Sequence, residues 1–134
     1  MSKYLTFQEI CFTSKDLLLL ALKQAGYPHE QGDSLVLYGY HGDARPERAQ
    51  IVVRRGHLSS SSNDIGFMLT PKGYVPIVSQ FDQGVPLGPQ REKFLPAVRT
   101  AYAQLVVAAV ARRLGGTITA GESGGVKRMV VQYA

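Results

Sequence analysis

The sequence has only one cysteine and no tryptophan among its 134 residues. A single cysteine, Cys11, excludes an internal disulfide, so a hydrophobic core must hold the fold and no oxidising compartment is indicated. Because Cys11 stands in an apolar run, we interpret it as a small buried hydrophobe and not as a nucleophile. The histidines His29, His41 and His57 do not show metal-ligand spacing with one another or with Cys11, so the sequence predicts no metal site.

Long apolar runs are also missing. No uninterrupted apolar segment approaches the roughly 18 residues that a membrane span requires, and the N-terminal stretch MSKYLTFQ lacks the basic and apolar regions of a signal peptide. The sequence therefore predicts a cytoplasmic protein with no membrane partner. Its length and its 45% of hydrophobic residues predict one domain, residues 1–134, with a core of its own.

Acidic residues are fewer than basic ones. The 15 Lys and Arg against 10 Asp and Glu give a formal net charge of +5, which permits nucleic acid, an anionic surface or an acidic protein as partner without choosing among them. The glycine-rich pieces GDSLVLYGYHGD and GESGGVKR lack the arrangement of a phosphate-binding loop, and neither of them opens a helix. No cofactor is therefore predicted.

Hydrophobic periodicity and turn chemistry predict two helices and seven strands. The first helix covers residues 17–24, with Thr13 as its N-cap and Gly26 at its C-terminal end, and the second covers residues 91–114. The predicted strands are residues 3–12, 35–40, 49–55, 65–69, 74–80, 117–120 and 126–133. Pro76 cannot donate to a ladder, so its strand is expected at a sheet edge or with a bulge. The order β-α-β-β-β-β-α-β-β predicts an α+β two-layer sandwich, with two helices packed on one largely antiparallel sheet.

Alternation along the strands predicts that the sheet has an apolar second face. The face toward the helices is predicted to carry Leu35, Leu37, Ile51, Val53, Ile65, Phe67 and Leu69. The opposite face then carries Val36, Tyr38, Tyr40, Val52, Arg54 and Met68. An exposed surface of this kind is typical of a partner or oligomer interface, and we predict partner-binding roles for five of its residues, Tyr38, Tyr40, Val52, Arg54 and Met68. Alternatively, a loop or a terminus of the chain covers this face.

A second alternative is a surface for nucleic acid. Tyrosines interleaved with arginines are used by single-strand binders, because bases stack on the rings and phosphates pair with the cations. On this reading Arg45, Arg48 and Arg55 would extend the basic surface. The more ordinary interpretation of these three arginines is a solvated face.

The segment YGYHGD, residues 38–43, raises the question of an active site. His41 could act as a general base with Asp43 or Asp64, but such pairs seldom act as sequence neighbours. Gly42-Asp43 after a strand is ordinary turn chemistry. We therefore predict a turn and no catalytic residue, and an enzyme around His41 remains the third alternative.

Several short motifs run through most of the chain. They are Ala21-Leu22, Gly39-Tyr40-His41-Gly42, Asp64-Ile65-Gly66-Phe67, Tyr102-Ala103 and Val130-Val131-Gln132. With these motifs the chain resembles a small plastid and cyanobacterial open-reading-frame family, a bacterial and algal domain of unknown function. The resemblance implies no established reaction, cofactor or catalytic residue. It implies an accessory or adaptor role beside a ring-forming AAA-type ATPase.

Together these observations predict a non-enzymatic interaction or adaptor module. We expect it to associate with itself as a homo-oligomer or to serve a larger assembly, with the AAA-type ATPase as one partner.

Overall fold

The computed structural model describes residues 3–88, 91–123 and 126–133. The elements in chain order are β1 (Tyr4–Thr6), α1 (Lys15–Gln24), β2 (Glu30–Tyr38), β3 (Ala44–Val53), a 3-10 turn (Arg55–His57), β4 (Ile65–Thr70), β5 (Gly73–Ser79), α2 (Gln80–Gln83), β6 (Pro86–Leu87), β7 (Glu92–Lys93), α3 (Phe94–Arg113), β8 (Gly116–Ser123) and β9 (Val126–Tyr133). The α+β class and the predicted order are confirmed. The one-turn helix α2, the 3-10 turn and the two-residue strands β6 and β7 are additions to it.

Five strands form the main sheet, in the order β1-β5-β4-β3-β2, and all neighbours are antiparallel. The terminal strands β8 and β9 pair with each other as a separate hairpin, where the sequence predicted strands of the same sheet. Among the described residues, neither edge of the main sheet, β1 or β2, pairs with this hairpin, and α3 separates it from β5 along the chain.

The main core lies between the sheet and the two long helices. It joins Leu18 and Leu22 of α1 and Val98 of α3 to Ile51 and Phe67 of the central strands. Ser14, and not the predicted Thr13, caps α1, since its Oγ accepts a hydrogen bond from the Leu17 amide at 3.2 Å. The Tyr102 hydroxyl of α3 accepts from the Ser14 amide at 3.0 Å and ties the two helices together.

The second face of the sheet is partly covered by the β2–β3 hairpin. The Leu37 side chain lies against Gly66 of β4. A Cβ added at Gly66 would come within 3.1 Å of Leu37 and 2.8 Å of the Ala49 Cβ. Arg45 of β3 contacts Tyr4 of β1, an edge strand separated from β3 by β4 and β5. The Arg45 guanidinium lies 5.3 Å from the centroid of the Tyr4 ring. The hairpin therefore curls over this face, and glycine at position 66 makes room for it.

The curl moves two leucines from their predicted face. Leu35 and Leu37 were expected to face the helices, but both pack with Val52 and Ile77 in the cluster on the opposite side. Two register shifts in β2 break its alternation, one on each side of the segment from Leu35 to Val36. Four residues of β2 oppose two of β3 at the first shift and two oppose four at the second, so regular alternation does not continue through β2 and the prediction for these two residues was wrong.

Pro76 lies in an internal strand, which corrects the prediction of an edge or bulge. Its carbonyl accepts from the Phe7 amide at 3.0 Å, on the side of the strand where β1 has just ended. In a strand, the backbone nitrogen and the carbonyl of one residue face the same side, so the ring nitrogen of Pro76 also faces Phe7. The Phe7 carbonyl already accepts a hydrogen bond from the Ile10 amide at 3.1 Å. No ladder bond is therefore lost at Pro76.

Candidate functional site

Asp64 is the buried centre of a polar network beside the β2–β3 hairpin. Its side chain is 1% exposed, and its Oδ2 accepts from the Tyr38 amide and from Arg54 Nη1, each at 2.8 Å. Its Oδ1 accepts from the Arg55 amide at 2.7 Å, and its carbonyl accepts from the Tyr4 hydroxyl at 2.6 Å. Both carboxylate oxygens are thus engaged in fixing the end of β2 against the start of β4.

Arg54 completes this network toward the surface. Its Nε donates to Glu30 at 2.8 Å, and its Nη1 donates to the Val36 carbonyl at 2.6 Å as well as to Asp64. The hydrogen bonds from Arg54 lower the pKa of Glu30 below its usual range. Its guanidinium also lies 5.6 Å from the ring centroid of Tyr38. Arg54 therefore works mainly within the fold.

The structure places the five predicted partner-binding residues at different depths. Tyr38 and Tyr40 are 40% and 39% exposed, and Val52 is fully buried. Met68 is partly buried against the cluster of the second face, and Arg54 keeps its charge within the network described above. Of these five, only the two tyrosines thus present a large surface to solvent, and Val52 lies in the buried cluster of the second face.

The three arginines of the nucleic-acid alternative contact their own hairpin and loop. Arg45 stacks on Tyr4 and lies 3.6 Å from the Asp43 carboxylate. Arg48 donates to the Arg45 carbonyl at 2.9 Å, and Arg55 donates through Nε to the Ser62 carbonyl at 3.0 Å. They stabilise local structure, and this geometry does not favour a row of phosphate contacts.

The YGYHGD segment forms the turn of the β2–β3 hairpin. The Gly39 amide donates to the Asp43 carbonyl and the Gly42 amide to the Gly39 carbonyl, both at 2.9 Å, and Gly42 has a φ of +79°. The His41 ring lies against the Tyr40 ring with 3.8 Å between centroids. The predicted turn is confirmed, and the Asp64 carboxylate of the enzyme alternative is occupied by structural hydrogen bonds.

Asp82 forms a second buried polar cluster that the sequence analysis missed. It is 1% exposed, and its Oδ2 accepts from the Ser79 hydroxyl at 2.9 Å and from the Asn63 amide at 3.0 Å. Ser79 also caps α2 by accepting from the Asp82 amide at 3.2 Å. A capping signature, serine followed three residues later by an acid, was present in the sequence and could have located this cluster. Burial raises the pKa of Asp82.

The second half of α3 is apolar and poorly covered. Phe94, Val98 and Ala101 of its first half are buried, whereas Ala111 alone is buried after them. Val110 is 47% exposed and Leu114, just past the helix, is 62% exposed. Half-buried apolar side chains complete the surface, at Leu105, Val106, Val107, Ala108 and Ala109. We refer to residues 105–114 as the distal segment of α3.

Length and composition alone would allow α3 to cross a membrane. Among the described residues it is the one helix that meets this criterion, with a mean hydropathy of 1.5. Core helices meet it too, and the first half of α3 lies in the core. Across the residues that the structure describes, no group of three or more His, Cys, Asp or Glu side chains could hold a metal ion.

Fold and site together define an α+β domain with a curled five-stranded sheet, two helices on one face and a separate terminal hairpin. A family model described as a protein of unknown function, DUF1257, matches residues 21–130, and the chain belongs to this family. No curated protein and no solved structure matches the chain. The resemblance to a family of unknown function is confirmed, and its plastid and cyanobacterial origin stays a prediction.

Proposed function

We propose that this protein is a non-enzymatic interaction module that joins a second copy of itself through the distal segment of α3 and the β8–β9 hairpin. The observation that carries the proposal is the change along α3. The same helix is buried against the sheet at Val98 and open to solvent at Val110, with no loss of apolar character between them.

An uncovered apolar helix face is unfavourable in water. Each fully buried valine or leucine side chain stabilises a fold by about 1.5–3 kcal/mol relative to its exposed state. The distal segment leaves part of this free energy unused, because Ala111 is its one buried side chain and its other apolar side chains are half-buried or exposed. Contiguous exposed apolar surface of this kind marks interaction sites in soluble domains.

The hairpin that follows this helix contacts α3 but belongs to no larger sheet among the described residues. Strands β8 and β9 have eight residues each and, among the described residues, pair only with each other. An isolated two-stranded hairpin is marginally stable in water, and each outer edge presents unpaired backbone groups that can join another strand.

A second copy would supply both missing partners at once. Across a two-fold axis, an edge of one hairpin would pair with the same edge of the other, while the two distal segments would cover each other. The alanines Ala108 and Ala109 would permit close approach of the helices. In an antiparallel arrangement the basic pair Arg112-Arg113 of one copy would lie away from the same pair of the other.

Light scattering over a hundredfold range of protein concentration tests this proposal. We expect a dimer that Val110→Glu dissociates, because a carboxylate would be forced into the apolar interface. Leu20→Glu is the matched control, since Leu20 on α1 is 45% exposed and lies outside the distal segment. A chain that stays monomeric at every concentration would refute self-association.

The tyrosine surface is compared in the same experiment. If Tyr40→Asp dissociates the dimer and Val110→Glu does not, the interface lies on the predicted second face and not on α3. The AAA-type ATPase implied by the family resemblance remains a separate proposal. It is supported by that resemblance alone, and co-purification with such an ATPase, with Val110→Glu and Tyr40→Asp compared, tests it.

A further inference from the structure

An open cleft of about 550 Å³ lies beside the C-terminal end of α1. Its lining comes from two segments of the chain. The first is the part of α1 that carries Leu19, Leu20 and Lys23, where each leucine is a neighbour of the lysine on the helix surface at a spacing of three or four residues. The second is residues 26–29, which leave the helix. Sites for small molecules are typically clefts of about 300–1,000 Å³, so the volume is sufficient for a ligand.

Hydrogen bonds fix the segment that leaves α1. The Tyr27 amide donates to the Leu22 carbonyl at 2.8 Å, and the Tyr27 hydroxyl donates to the Leu87 carbonyl at 2.9 Å. The His29 Nδ1 lies within hydrogen-bond distance of the Tyr27 carbonyl, at 3.3 Å. Because the cleft is formed within the fold before a ligand arrives, little ordering of the chain would oppose binding.

The lining is mainly apolar and carries one full charge. Leu20 is 45% exposed, Leu19 is half-buried against the main core, and Pro28 is exposed. Lys23 supplies the charge, and none of the described residues that line the cleft is acidic. Within the described part of the chain, Lys23 forms no ion pair. A ligand that complements this lining is apolar along most of its length and negatively charged at one end.

We propose that this cleft binds a medium-chain fatty acid. Its carboxylate would pair with the Lys23 ammonium group, and its alkyl chain would contact Leu19, Leu20 and Pro28. A lysine side chain suits this role, because its methylene groups lie along apolar surface while its ammonium group stays in water. A cation of the same length would be repelled by Lys23. The inference does not rest on self-association, since the residues that line the cleft lie in one chain and outside the distal segment.

Isothermal titration calorimetry with decanoate tests this inference on the unmodified protein at neutral pH, below the concentration at which decanoate forms micelles. We expect saturable binding. Octanoate should bind roughly tenfold more weakly, because each methylene group removed from water contributes about fourfold in affinity. Decylammonium, the cation of the same length, should also bind roughly tenfold more weakly, since Lys23 repels it. The absence of saturable decanoate binding, or equal affinity for decanoate and decylammonium, would overturn the inference.

A membrane that contains fatty acid presents the same carboxylates and alkyl chains, and vesicles distinguish the two sources. The protein is sedimented with phosphatidylcholine vesicles that contain oleate. Co-sedimentation together with no saturable binding of free decanoate would assign the cleft to a membrane surface and overturn the inference.

Variants then assign the parts of the cleft. Lys23→Gln should weaken decanoate binding roughly threefold to fivefold, which is the upper range for an exposed ion pair. Lys15→Gln is the matched control, since Lys15 is an exposed lysine of the same helix outside the cleft. Leu20→Glu should weaken decanoate binding at least roughly tenfold, because a second carboxylate would enter the apolar lining, and should leave the association measured by light scattering unchanged. Equal losses in Lys23→Gln and Lys15→Gln would refute the placement of the carboxylate.

Discussion

The first half of α3 and its distal segment are similarly apolar, but their side chains differ in how far they are buried. Val98 packs into the main core and is fully buried, while Val110, twelve residues later on the same helix, is 47% exposed. The main core covers the first residue, whereas almost half of the second is open to solvent. Apolar composition therefore indicates that a helix has apolar surface to bury, but it does not identify the part of the structure that covers this surface.

The polar groups of the molecule follow the same division. Asp64 and Asp82 are buried beside the sheet, and each is held by backbone amides or side chains from distant parts of the sequence. The side chains that the structure describes form no comparable network at the distal segment, and its charged residues, Arg112 and Arg113, lie at its exposed end. The sheet region is thus specified internally, whereas the distal segment is the surface that we propose for self-association.

The largest effect that we predict is for Asp64→Ala. This change removes the buried carboxylate that pairs with the Arg54 guanidinium and that accepts from the amides of Tyr38 and Arg55. Breaking a buried ion pair by removing one partner costs about 3–5 kcal/mol. The free energy of unfolding, measured by urea denaturation, should fall by this amount.

Glu30→Ala is the matched control, because Glu30 holds the other side of the same guanidinium but its side chain is 54% exposed. Exposed ion pairs contribute about 0–1 kcal/mol. If Glu30→Ala destabilises the protein as much as Asp64→Ala does, the buried centre of the network has been assigned to the wrong carboxylate.

The second prediction tests the division of α3 directly. Val98→Ala removes two methyl groups from a close-packed core and should cost about 2–3 kcal/mol. Val110→Ala should cost less than about 1 kcal/mol in dilute solution, because almost half of that side chain is exposed. Thermal unfolding of both variants at low and high protein concentration provides the measurement.

Concentration sharpens this comparison. If the distal segment is an interface, Val110→Ala should become more destabilising as the protein concentration rises, whereas the effect of Val98→Ala should stay constant. Equal costs for the two variants in dilute solution would show that the distal segment is already covered within one chain.

The third prediction concerns Gly66, where the β2–β3 hairpin curls over the sheet. A Cβ there would lie 2.8 Å from the Ala49 Cβ and 3.1 Å from Leu37, so Gly66→Ala should cost about 1–3 kcal/mol through overpacking. Gly56→Ala is the control, since a Cβ at Gly56 has no atom within 4 Å and should stabilise by about 0.4–1 kcal/mol. Chemical denaturation of both variants distinguishes the two, and a neutral Gly66→Ala would contradict the described curl.

Local signals in the sequence were sufficient for the elements and for the turn. Two of these signals are the helical period of α3 and the Gly-Asp pair of the YGYHGD turn, which depend on contacts within a few residues. The structure contains both the helix and the turn. The positions of Leu35 and Leu37 were predicted wrongly, because the register shifts of β2 depend on a hairpin that folds back over Gly66. Such a contact joins residues far apart in the sequence, and no periodicity reports it.

The candidate sites were less accessible to sequence reasoning. Alternation along the strands correctly indicated an apolar second face of the sheet, but it did not indicate that the β2–β3 hairpin covers part of this face. Val52 was therefore predicted at the surface, whereas it is fully buried. Asp82 follows a serine cap, which is a local signal, yet its Oδ2 also accepts from the backbone amide of Asn63, 19 residues away in the sequence. The burial of this carboxylate is therefore a tertiary property that the local signal does not indicate.

The smallest effect that we predict is the opposite pH dependence of two carboxylates. Burial raises the pKa of Asp82, so the folded state binds more protons than the unfolded state once the pH rises above about 3.9, the ordinary aspartate value. The stability of the native protein relative to Asp82→Asn should therefore fall as the pH rises from acidic to neutral. Glu30 has a lowered pKa because of its hydrogen bonds with Arg54, so stability relative to Glu30→Gln should rise over the same range. Urea denaturation at several pH values measures both differences, with Tyr4, Lys93 and Arg99 kept unchanged as the charged or titratable neighbours of Asp82. Parallel curves for the two variants would contradict the raised pKa of Asp82 and the cause given for it, the burial of its carboxylate.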